Sequence, residues 1–187
     1  MATVDQFIQD AQNRMDASVE HTKTEFNTVR TGRASAALLD RVQIEYYGQQ
    51  TPLKQMATIN VPEPRMLTIQ AFDPSAMKQI ERAIMESDLG LTPSSDGKLI
   101  RLPIPQLTEE RRKELVKLVK QMAEEGRVAV RNVRRDAIKH LEELVKNREV
   151  GDDEERSAEA RVQKLTDEHT ARIDELLKRK EAEIMEV

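Results

Sequence analysis

The sequence predicts an α+β protein, an antiparallel three-helix bundle into which a small β/α/β module is inserted. The first observation is the placement of residues that interrupt helices. All seven prolines and four of the six glycines lie within residues 31–105. Because proline and glycine are the strongest breaks in regular structure, we predict a bundle made of residues 1–30 and 106–187 and a module of residues 31–105. Helical spacing in the flanks and strand-like alternation in the module are the other two observations.

The first flank has the spacing of an amphipathic helix. Apolar or small residues recur every three or four positions, as expected for one buried helix face. The predicted face is Val4, Ile8, Ala11, Met15, Ser18, Thr22, Phe26 and Val29.

The second flank begins with an even longer helical pattern. Thr108 is a suitable N-cap, and residues 108–147 contain no helix breaker except Gly126. We predict one continuous helix and expect the glycine to cost about 1 kcal/mol of stability relative to alanine. The predicted face is Leu115, Val119, Met122, Gly126, Ala129, Val133, Ala137, Leu141 and Leu144.

A reversal at residues 149–151 precedes the third helical pattern, with Asp152 as the predicted N-cap. Three long helices with narrow apolar faces, joined in this order, favour an antiparallel bundle. The predicted face of the third helix is Val162, Leu165, His169, Ile173 and Leu176.

The inserted module alternates apolar and polar residues at 42–47, 67–71 and 100–104, which predicts short strands. The sequence after Asp73 predicts one short helix that ends before Gly90. Of the adjacent Tyr46 and Tyr47, we expect one to be buried and the other exposed. Two short connections near residues 30–34 and 102–106 are predicted to form a hinge, made of Thr31, Gly32, Arg33, Pro103 and Pro105.

Composition excludes several classes of protein. Only 3% of the residues are aromatic and there is no cysteine, so an aromatic pocket, a disulfide scaffold and a cysteine nucleophile are not expected. No apolar run is long enough to span a membrane, and the N-terminus lacks the features of a secretory signal or transit peptide. His21, His140 and His169 are too widely spaced for a metal site. We therefore expect no cofactor, no metal and no enzymatic activity.

A line of basic residues follows the second helix. The 42 residues from 106 to 147 hold 11 basic and 8 acidic side chains, although the whole chain has a net charge of −4. We expect this line to lie about 200° around the helix from the apolar face and to face solvent, interrupted only by Glu124. A solvated helix face and a phosphate-binding edge are both compatible with this pattern. The line consists of Lys113, Lys117, Lys120, Arg127, Arg131 and Arg134, broadened by Arg112 and Arg135.

Five sequence runs, in order along nearly the whole chain, resemble the bacterial ribosome recycling factor family. No single run is specific, but the five together are. They are Arg30-Thr31-Gly32-Arg33-Ala34-Ser35, Glu45-Tyr46-Tyr47-Gly48, Ser87-Asp88-Leu89-Gly90-Leu91, Leu107-Thr108-Glu109-Glu110-Arg111-Arg112, and residues 128–136, Val-Ala-Val-Arg-Asn-Val-Arg-Arg-Asp.

The resemblance implies an L-shaped monomer with dimensions like those of transfer RNA. It also implies binding to the 70S-type post-termination ribosome and, with elongation factor G and that partner's GTP hydrolysis, dissociation into subunits and release of mRNA and deacylated tRNA. Initiation factor 3 then keeps the small subunit free. The family match makes Arg112, Arg131 and Arg134 the expected contacts to large-subunit rRNA near the intersubunit bridges, with Arg30 as a fourth. The expected compartment is the cytoplasm.

Two other functional classes remain open from the residues alone. A coiled-coil interaction protein would use the apolar faces to pair with a partner helix. An RNA-binding arm would act on tRNA or rRNA without a recycling role. The first would form concentration-dependent oligomers, and the second would bind free RNA tightly without ribosomes.

Overall fold

The computed structural model describes residues 3–186 and confirms the α+β class. Three long helices account for most of the chain: α1 (Val4–Asn27), α4 (Glu109–Lys146) and α5 (Asp152–Met185). Between α1 and α4 lie β1 (Gln43–Tyr46), β2 (Gln49–Pro52), α2 (Leu53–Met56), β3 (Ala57–Glu63), β4 (Met66–Ala71), α3 (Met77–Glu86), β5 (Ser94–Ser95) and β6 (Ile100–Pro103).

The chain forms two compact units. Unit 1 comprises Met1–Phe26 and Lys117–Glu181, and unit 2 comprises Asn27–Val116 and Ala182–Val187. Within residues 3–186, no helix combines the length and the apolar character that crossing a bilayer requires.

In unit 1, the register of side-chain pairs gives the direction of each helix. From α4 to α5, Arg134 pairs with Gln163 and Arg127 with Asp174, so the partner numbers run in opposite directions. The partner numbers also run in opposite directions between α1 and α4. Between α1 and α5 they increase together. Helix α4 is therefore antiparallel to both others, as predicted. The further pairs are Arg14–Asp136 and Phe7–His140 for α1 and α4, and Asp5–Arg161 and Asp16–His169 for α1 and α5.

The buried faces of the helices differ from the prediction at a few positions. Val19 is buried in α1 where Ser18 was expected, and Ser18 instead donates its hydroxyl to the Arg14 carbonyl. In α4 the buried residues are Ala123 and Val130 rather than Met122 and Ala129, and in α5 the buried residue is Thr166 rather than Leu165. A helical period of 3.6 residues lets either of two neighbouring positions continue the same face. The structure selects the smaller side chain at two of these places.

Gly126 has a packing role that the sequence did not reveal. A methyl group built on this glycine would overlap Thr22 Oγ1 on α1 and approach Ile173 Cδ1 on α5 to 3.2 Å. We therefore expect alanine to be less stable than glycine here, because the absence of a side chain lets α1, α4 and α5 pack closely.

Unit 2 contains a hairpin and a four-stranded antiparallel sheet. Strands β1 and β2 form the hairpin, and the second sheet has the order β3-β4-β6-β5. Helix α3, the short helix predicted after Asp73, packs with its buried face of Met77, Ile80 and Ile84 on the apolar core of the module. The core also includes Ile44, Leu67, Ile69, Ile100 and Leu102.

The predicted helix ends are mostly confirmed. The Thr108 hydroxyl accepts the Arg111 backbone N–H at 3.2 Å, and Asp73 caps the turn before α3 through the Ser75 N–H at 2.9 Å. The prediction that Asp152 is the N-cap of α5 is wrong. The Gly151 carbonyl accepts the Glu155 N–H at 3.0 Å, which makes Gly151 the cap and Asp152 the first helical residue.

Candidate nucleic-acid interface

The basic residues of α4 fall into two groups by exposure. Lys113, Lys117, Lys120 and Arg135 are exposed, whereas Arg112, Arg127, Arg131 and Arg134 are half-buried. The expectation that the whole line faces solvent opposite the apolar face is therefore wrong. Two bonds bring these arginines toward α5, since Arg127 donates to Asp174 and Arg134 donates to Gln163. Arg127 and Arg134 therefore lie along the flank of α4 that faces α5.

Arg127 is the most enclosed of these arginines, with 20% of its side chain exposed. Its Nη1 donates to Asp174 Oδ1 on α5 at 2.6 Å, and its Nε donates to Glu124 Oε2 at 3.0 Å. Burial opposes the charge, but the hydrogen bonds to Glu124 and Asp174 outweigh it and raise the pKa of Arg127. This guanidinium is therefore engaged inside the protein.

Glu124, the single acid in the basic line, binds two arginines at once. Besides Arg127, it accepts a bond from Arg131 Nη1 at 3.1 Å. The hydrogen bonds from Arg127 and Arg131 lower the pKa of the Glu124 carboxyl. Glu124 thus fixes the orientation of both arginines instead of merely interrupting the line.

Arg134 differs from Arg127 and Arg131 because its bonded partner is not a carboxylate. Its Nη1 donates to the neutral Gln163 Oε1 at 3.2 Å, and its buried Nε has no hydrogen-bond partner within residues 3–186. A neutral acceptor leaves the full positive charge available to an external anion. Arg134 is therefore the half-buried arginine of unit 1 best placed, by charge, to contact phosphate.

The exposed cations differ in how far their charge is already neutralised. Lys113 lies 3.1 Å from Glu109 and Lys120 lies 3.7 Å from Glu181. Neither Lys117 nor Arg135 forms an ion pair with any residue in the described part of the chain. Exposed pairs of this kind are weak, so phosphate can compete for all four cations.

Arg30 and Arg112 belong to unit 2. Arg30 Nη2 donates to the Pro105 carbonyl and so ties together the outgoing and the returning connection. Burial, and secondarily the charge of Arg111, lowers the pKa of Arg30. Arg112 lines a small cleft of about 150 Å³ together with Arg33, Arg65, Gln106 and Glu186, among others.

The predicted hinge residues lie close to bonds that hold the module. Thr31 is buried and its hydroxyl accepts the Arg33 N–H at 3.3 Å, while Gly32 has open space where a side chain would be. Pro103 is the last residue of β6 and lies opposite Met66. The Ile104 N–H still bonds the Arg65 carbonyl at 2.8 Å, so the returning connection leaves the sheet only at Pro105.

Sequence reasoning missed a polar cluster between α1 and α5. The buried ring of His169 contacts Asp16 Oδ1 through Nε2 at 2.7 Å and the Leu165 carbonyl through Nδ1 at 2.6 Å. Arg172 Nη1 also donates to Asp16 Oδ1, at 2.8 Å. Each ring nitrogen of His169 therefore has an oxygen atom of another residue within hydrogen-bond distance. The only sequence signal was a histidine at an apolar-face position.

Within residues 3–186, no three His, Asp or Glu side chains are grouped closely enough to hold a metal ion. The cations of α4 offer ionic contacts to an anionic partner. A helix edge that carries arginines with guanidinium groups of fixed orientation is suited to a phosphate backbone, and it reads charge and shape without reading base sequence.

Comparison with known proteins identifies the family. The profile described as "Ribosome recycling factor" matches residues 22–185. A ribosome-recycling factor from Rubrobacter xylanophilus is 57% identical over 180 residues, 96% of this chain and 97% of that protein. The corresponding Bacillus subtilis protein is 56% identical over 176 residues, 94% of this chain and 95% of that protein.

Solved structures agree with the sequence comparison. A solution structure of the ribosome recycling factor superposes with a TM-score of 0.77 at 44% identity, and the match covers 100% of both chains. A second structure, of the T. thermophilus ribosome recycling factor and the E. coli elongation factor G bound to the E. coli post-termination complex, gives a TM-score of 0.69 at 46% identity and covers 99% of this chain and 100% of that one. Matches of this length and identity, on a fold with the same bundle and module, mean that the chain belongs to the ribosome recycling factor family.

Proposed function

We propose that this protein recycles ribosomes after termination. It binds the post-termination ribosome and, with elongation factor G and GTP hydrolysis by that partner, promotes dissociation into subunits and release of mRNA and deacylated tRNA. One observation carries the proposal: a relative 46% identical over nearly the whole chain is described on the post-termination complex together with elongation factor G. A role on ribosomes implies the cytoplasm as the compartment and a functional link to initiation factor 3, which keeps the small subunit free.

The α4 basic edge, defined here as the cations of α4 that are available to an external anion, is the proposed contact to large-subunit rRNA. Arg134 and Arg131 provide guanidinium groups of fixed orientation, and the exposed cations extend the positive potential along the helix. The edge consists of Arg131, Arg134, Arg135, Lys113, Lys117 and Lys120, with Arg112 at its beginning.

Arg127 supports the contact without providing its charge, whereas Arg30 bonds a neutral carbonyl and keeps its charge for an external anion. Arg127 joins α4 to Asp174 on α5, and Arg30 joins the two connections through the Pro105 carbonyl. A guanidinium with two carboxylate partners would have to break both bonds before it could bind phosphate, which makes it a poor RNA ligand.

The mechanism we propose is mechanical. The bundle of unit 1 is a stiff element held on rRNA by the α4 basic edge, and the connections around Gly32 and Pro105 let elongation factor G displace the inserted module. The force strains a bridge between the subunits. The protein itself hydrolyses nothing, because the energy comes from the partner's GTP.

Sedimentation of ribosomes tests the function. Post-termination ribosomes are incubated with this protein, elongation factor G and GTP, with a GTP analogue that resists hydrolysis as the matched control. We expect free subunits only with GTP and with both proteins present. Intact ribosomes in the complete mixture would contradict the proposal. Tight binding to free RNA would then favour the RNA-binding alternative, and concentration-dependent oligomers would favour the coiled-coil alternative.

A further inference from the structure

A wide groove lies within unit 2, and none of its lining residues belongs to the α4 basic edge. Its volume is about 1120 Å³. One wall is continuous chain, residues 41–48, and the other is a single face of α3. The α3 residues are spaced three and four apart, and the small Ala83 lies in the middle of this face, which leaves room between the helix and β1. They are Gln79, Arg82, Ala83 and Glu86.

The hairpin geometry shows which backbone groups of β1 point into this groove. Tyr47 and Gly48 both have positive φ, 50° and 75°, which is the signature of a two-residue type I′ turn. The pair that closes such a turn, Tyr46 and Gln49, exchanges backbone hydrogen bonds. Because bonded and non-bonded pairs alternate along an antiparallel ladder, Ile44 bonds β2, whereas Gln43 and Glu45 direct their N–H and C=O groups away from it.

Proline at the end of β2 supports this register independently. Pro52 lies opposite Gln43 and has no N–H to donate. It is tolerated in a ladder only where its nitrogen faces outward, so Gln43 and Pro52 form a non-bonded pair, as deduced from the turn.

The outer edge of β1 is therefore an open hydrogen-bonding edge. In the described part of the chain, strand β1 has no second neighbour in its sheet. Among residues 3–186, no hydrogen-bond partner is found for the N–H or C=O groups of Gln43 and Glu45. Natural sheets normally cover, twist or charge such edges, yet this one borders a groove that residues 41–48 line continuously.

The hairpin is also held firmly in place. The Tyr46 hydroxyl donates to Asp73 Oδ2 at 2.6 Å, and Asp73 caps the turn that leads into α3. Its carboxylate raises the pKa of Tyr46 to about 12. One bond thus ties both walls of the groove together, and the neighbouring Tyr47 ring remains 87% exposed at its end.

The charges around the groove distinguish between kinds of ligand. Arg41 and Arg82 are balanced by Glu45 and Glu86, and Arg82 Nε is already bonded to Glu86 Oε1 at 2.8 Å. A phosphate backbone would gain no net attraction here. The remaining polar lining is glutamine, serine and tyrosine, which suits an uncharged polar backbone.

We propose that this groove binds an extended segment of a protein partner, which adds to β1 as a third strand. The N–H and C=O groups of Gln43 and Glu45 pair with the backbone of the segment, and the exposed Tyr47 ring packs against one of its apolar side chains. The choice of particles that present the segment rests on the proposed function, but the strand addition does not.

Photocrosslinking tests this inference on the full-length protein. A benzoylphenylalanine is placed at position 79 in the groove, or at the exposed position 78 of the same helix as the control. Each protein is irradiated with post-termination ribosomes alone, with elongation factor G alone, and with both plus GTP. We expect a protease-sensitive, ribonuclease-resistant adduct with another polypeptide from position 79, and the three arms show which particle provides it. An adduct that ribonuclease destroys, an adduct with a second copy of this chain, or equal yields from positions 78 and 79 would overturn the proposal.

Substitutions at Glu45 show whether the backbone edge is what binds. Glu45→Pro removes an outward N–H and should lower the adduct yield roughly tenfold, the upper range for one lost hydrogen bond. Glu45→Ala removes only the side chain and should retain the yield. Equal yields from these two variants would overturn strand addition. If Glu45→Pro does not fold, Gln79→Trp replaces it, because the larger side chain fills the groove and should weaken binding of the segment. Lys78→Trp is the control for this variant. Equal binding by the two tryptophan variants would overturn the proposal.

Failure of this inference is distinguishable from failure of the proposed function. Ribosome splitting by the unmodified protein tests recycling, whatever the groove binds. Normal splitting without a position-79 adduct would overturn the strand addition alone.

Discussion

Arg127 on α4 donates from Nη1 to Asp174 Oδ1 on α5 at 2.6 Å. The same guanidinium donates from Nε to Glu124 on its own helix, and only 20% of the side chain is exposed. The basic residues of α4 therefore have two different roles. Arg127 stabilises the bundle, and the residues of the α4 basic edge remain available to an external anion.

Removing the Arg127 charge should therefore reduce stability. Arg127→Met keeps an apolar stem but loses both ionic hydrogen bonds, and we expect the free energy of unfolding to fall by about 1–2 kcal/mol. Urea unfolding followed by circular dichroism measures this. Arg135→Met is the control and should stay within about 0.5 kcal/mol of the unmodified protein. Equal effects of the two substitutions would refute the bracing role.

Gly126 provides a second test of bundle packing. Gly126→Ala gains helix propensity but overlaps Thr22, and we expect a net loss of about 1–3 kcal/mol in unfolding free energy. Adding Thr22→Ala removes the overlapping hydroxyl and should recover part of this loss, because the two sites are in contact. Gly32→Ala, where the added methyl group meets no atom within 4 Å, should be nearly neutral. A stabilised Gly126→Ala variant would show that α1 can move away at little cost.

The sequence predicted the helices and most of the module because their signals are local. Periodicity identifies a helix and its approximate face. Thr108 and Asp73 mark helix starts through hydrogen bonds to residues only three and two positions further along the chain. The exact face of α4 could not be predicted. Met122 and Ala123 both continue the pattern, and the choice depends on how closely α1 approaches Gly126.

The candidate site was only partly predictable for the same reason. The identities of the basic residues were evident, but their partners Asp174 and Gln163 lie 47 and 29 positions away on α5. No local rule pairs residues at such separations. The open edge of β1 also needed the structure, since the pattern at residues 42–47 does not show whether a second strand covers it.

The Asp16 cluster predicts a defined acid dependence of stability. Bonds from His169 and then Arg172 lower the pKa of Asp16 below its ordinary value of 3.8. A carboxylate with a lowered pKa stabilises the folded protein above its unfolded pKa, and this contribution is lost as the pH falls through the lowered value. Asp16→Asn should thus reduce stability by about 1 kcal/mol at neutral pH, since solvent screens the exposed carboxylate.

Below pH 3.8 the difference between Asp16→Asn and the unmodified protein should close. Urea unfolding at a series of pH values measures it, with the exposed Asp10→Asn as the control. A difference that stays constant across the acid range would exclude the ionised Asp16 carboxylate as its source.

The hinge prediction concerns Gly32, which has room for a side chain. Gly32→Pro fixes the backbone at this position and should leave ribosome binding largely intact while it prevents subunit splitting. Gly32→Ala adds volume without fixing the backbone and should split ribosomes normally. Splitting is measured by light scattering and binding by cosedimentation. Loss of both activities in Gly32→Pro would indicate that the connection serves folding instead.

The salt dependence of ribosome binding tests the central claim, that the α4 basic edge holds the protein on rRNA by charge. The slope of log affinity against log salt concentration is measured for the unmodified protein, for an Arg131→Ala, Arg134→Ala double variant, and for Arg127→Met. Each lost phosphate contact should reduce the slope by roughly 0.7–0.9. We therefore expect a clearly shallower slope for the double variant and an almost unchanged slope for Arg127→Met. An unchanged slope and affinity in the double variant would contradict the claim.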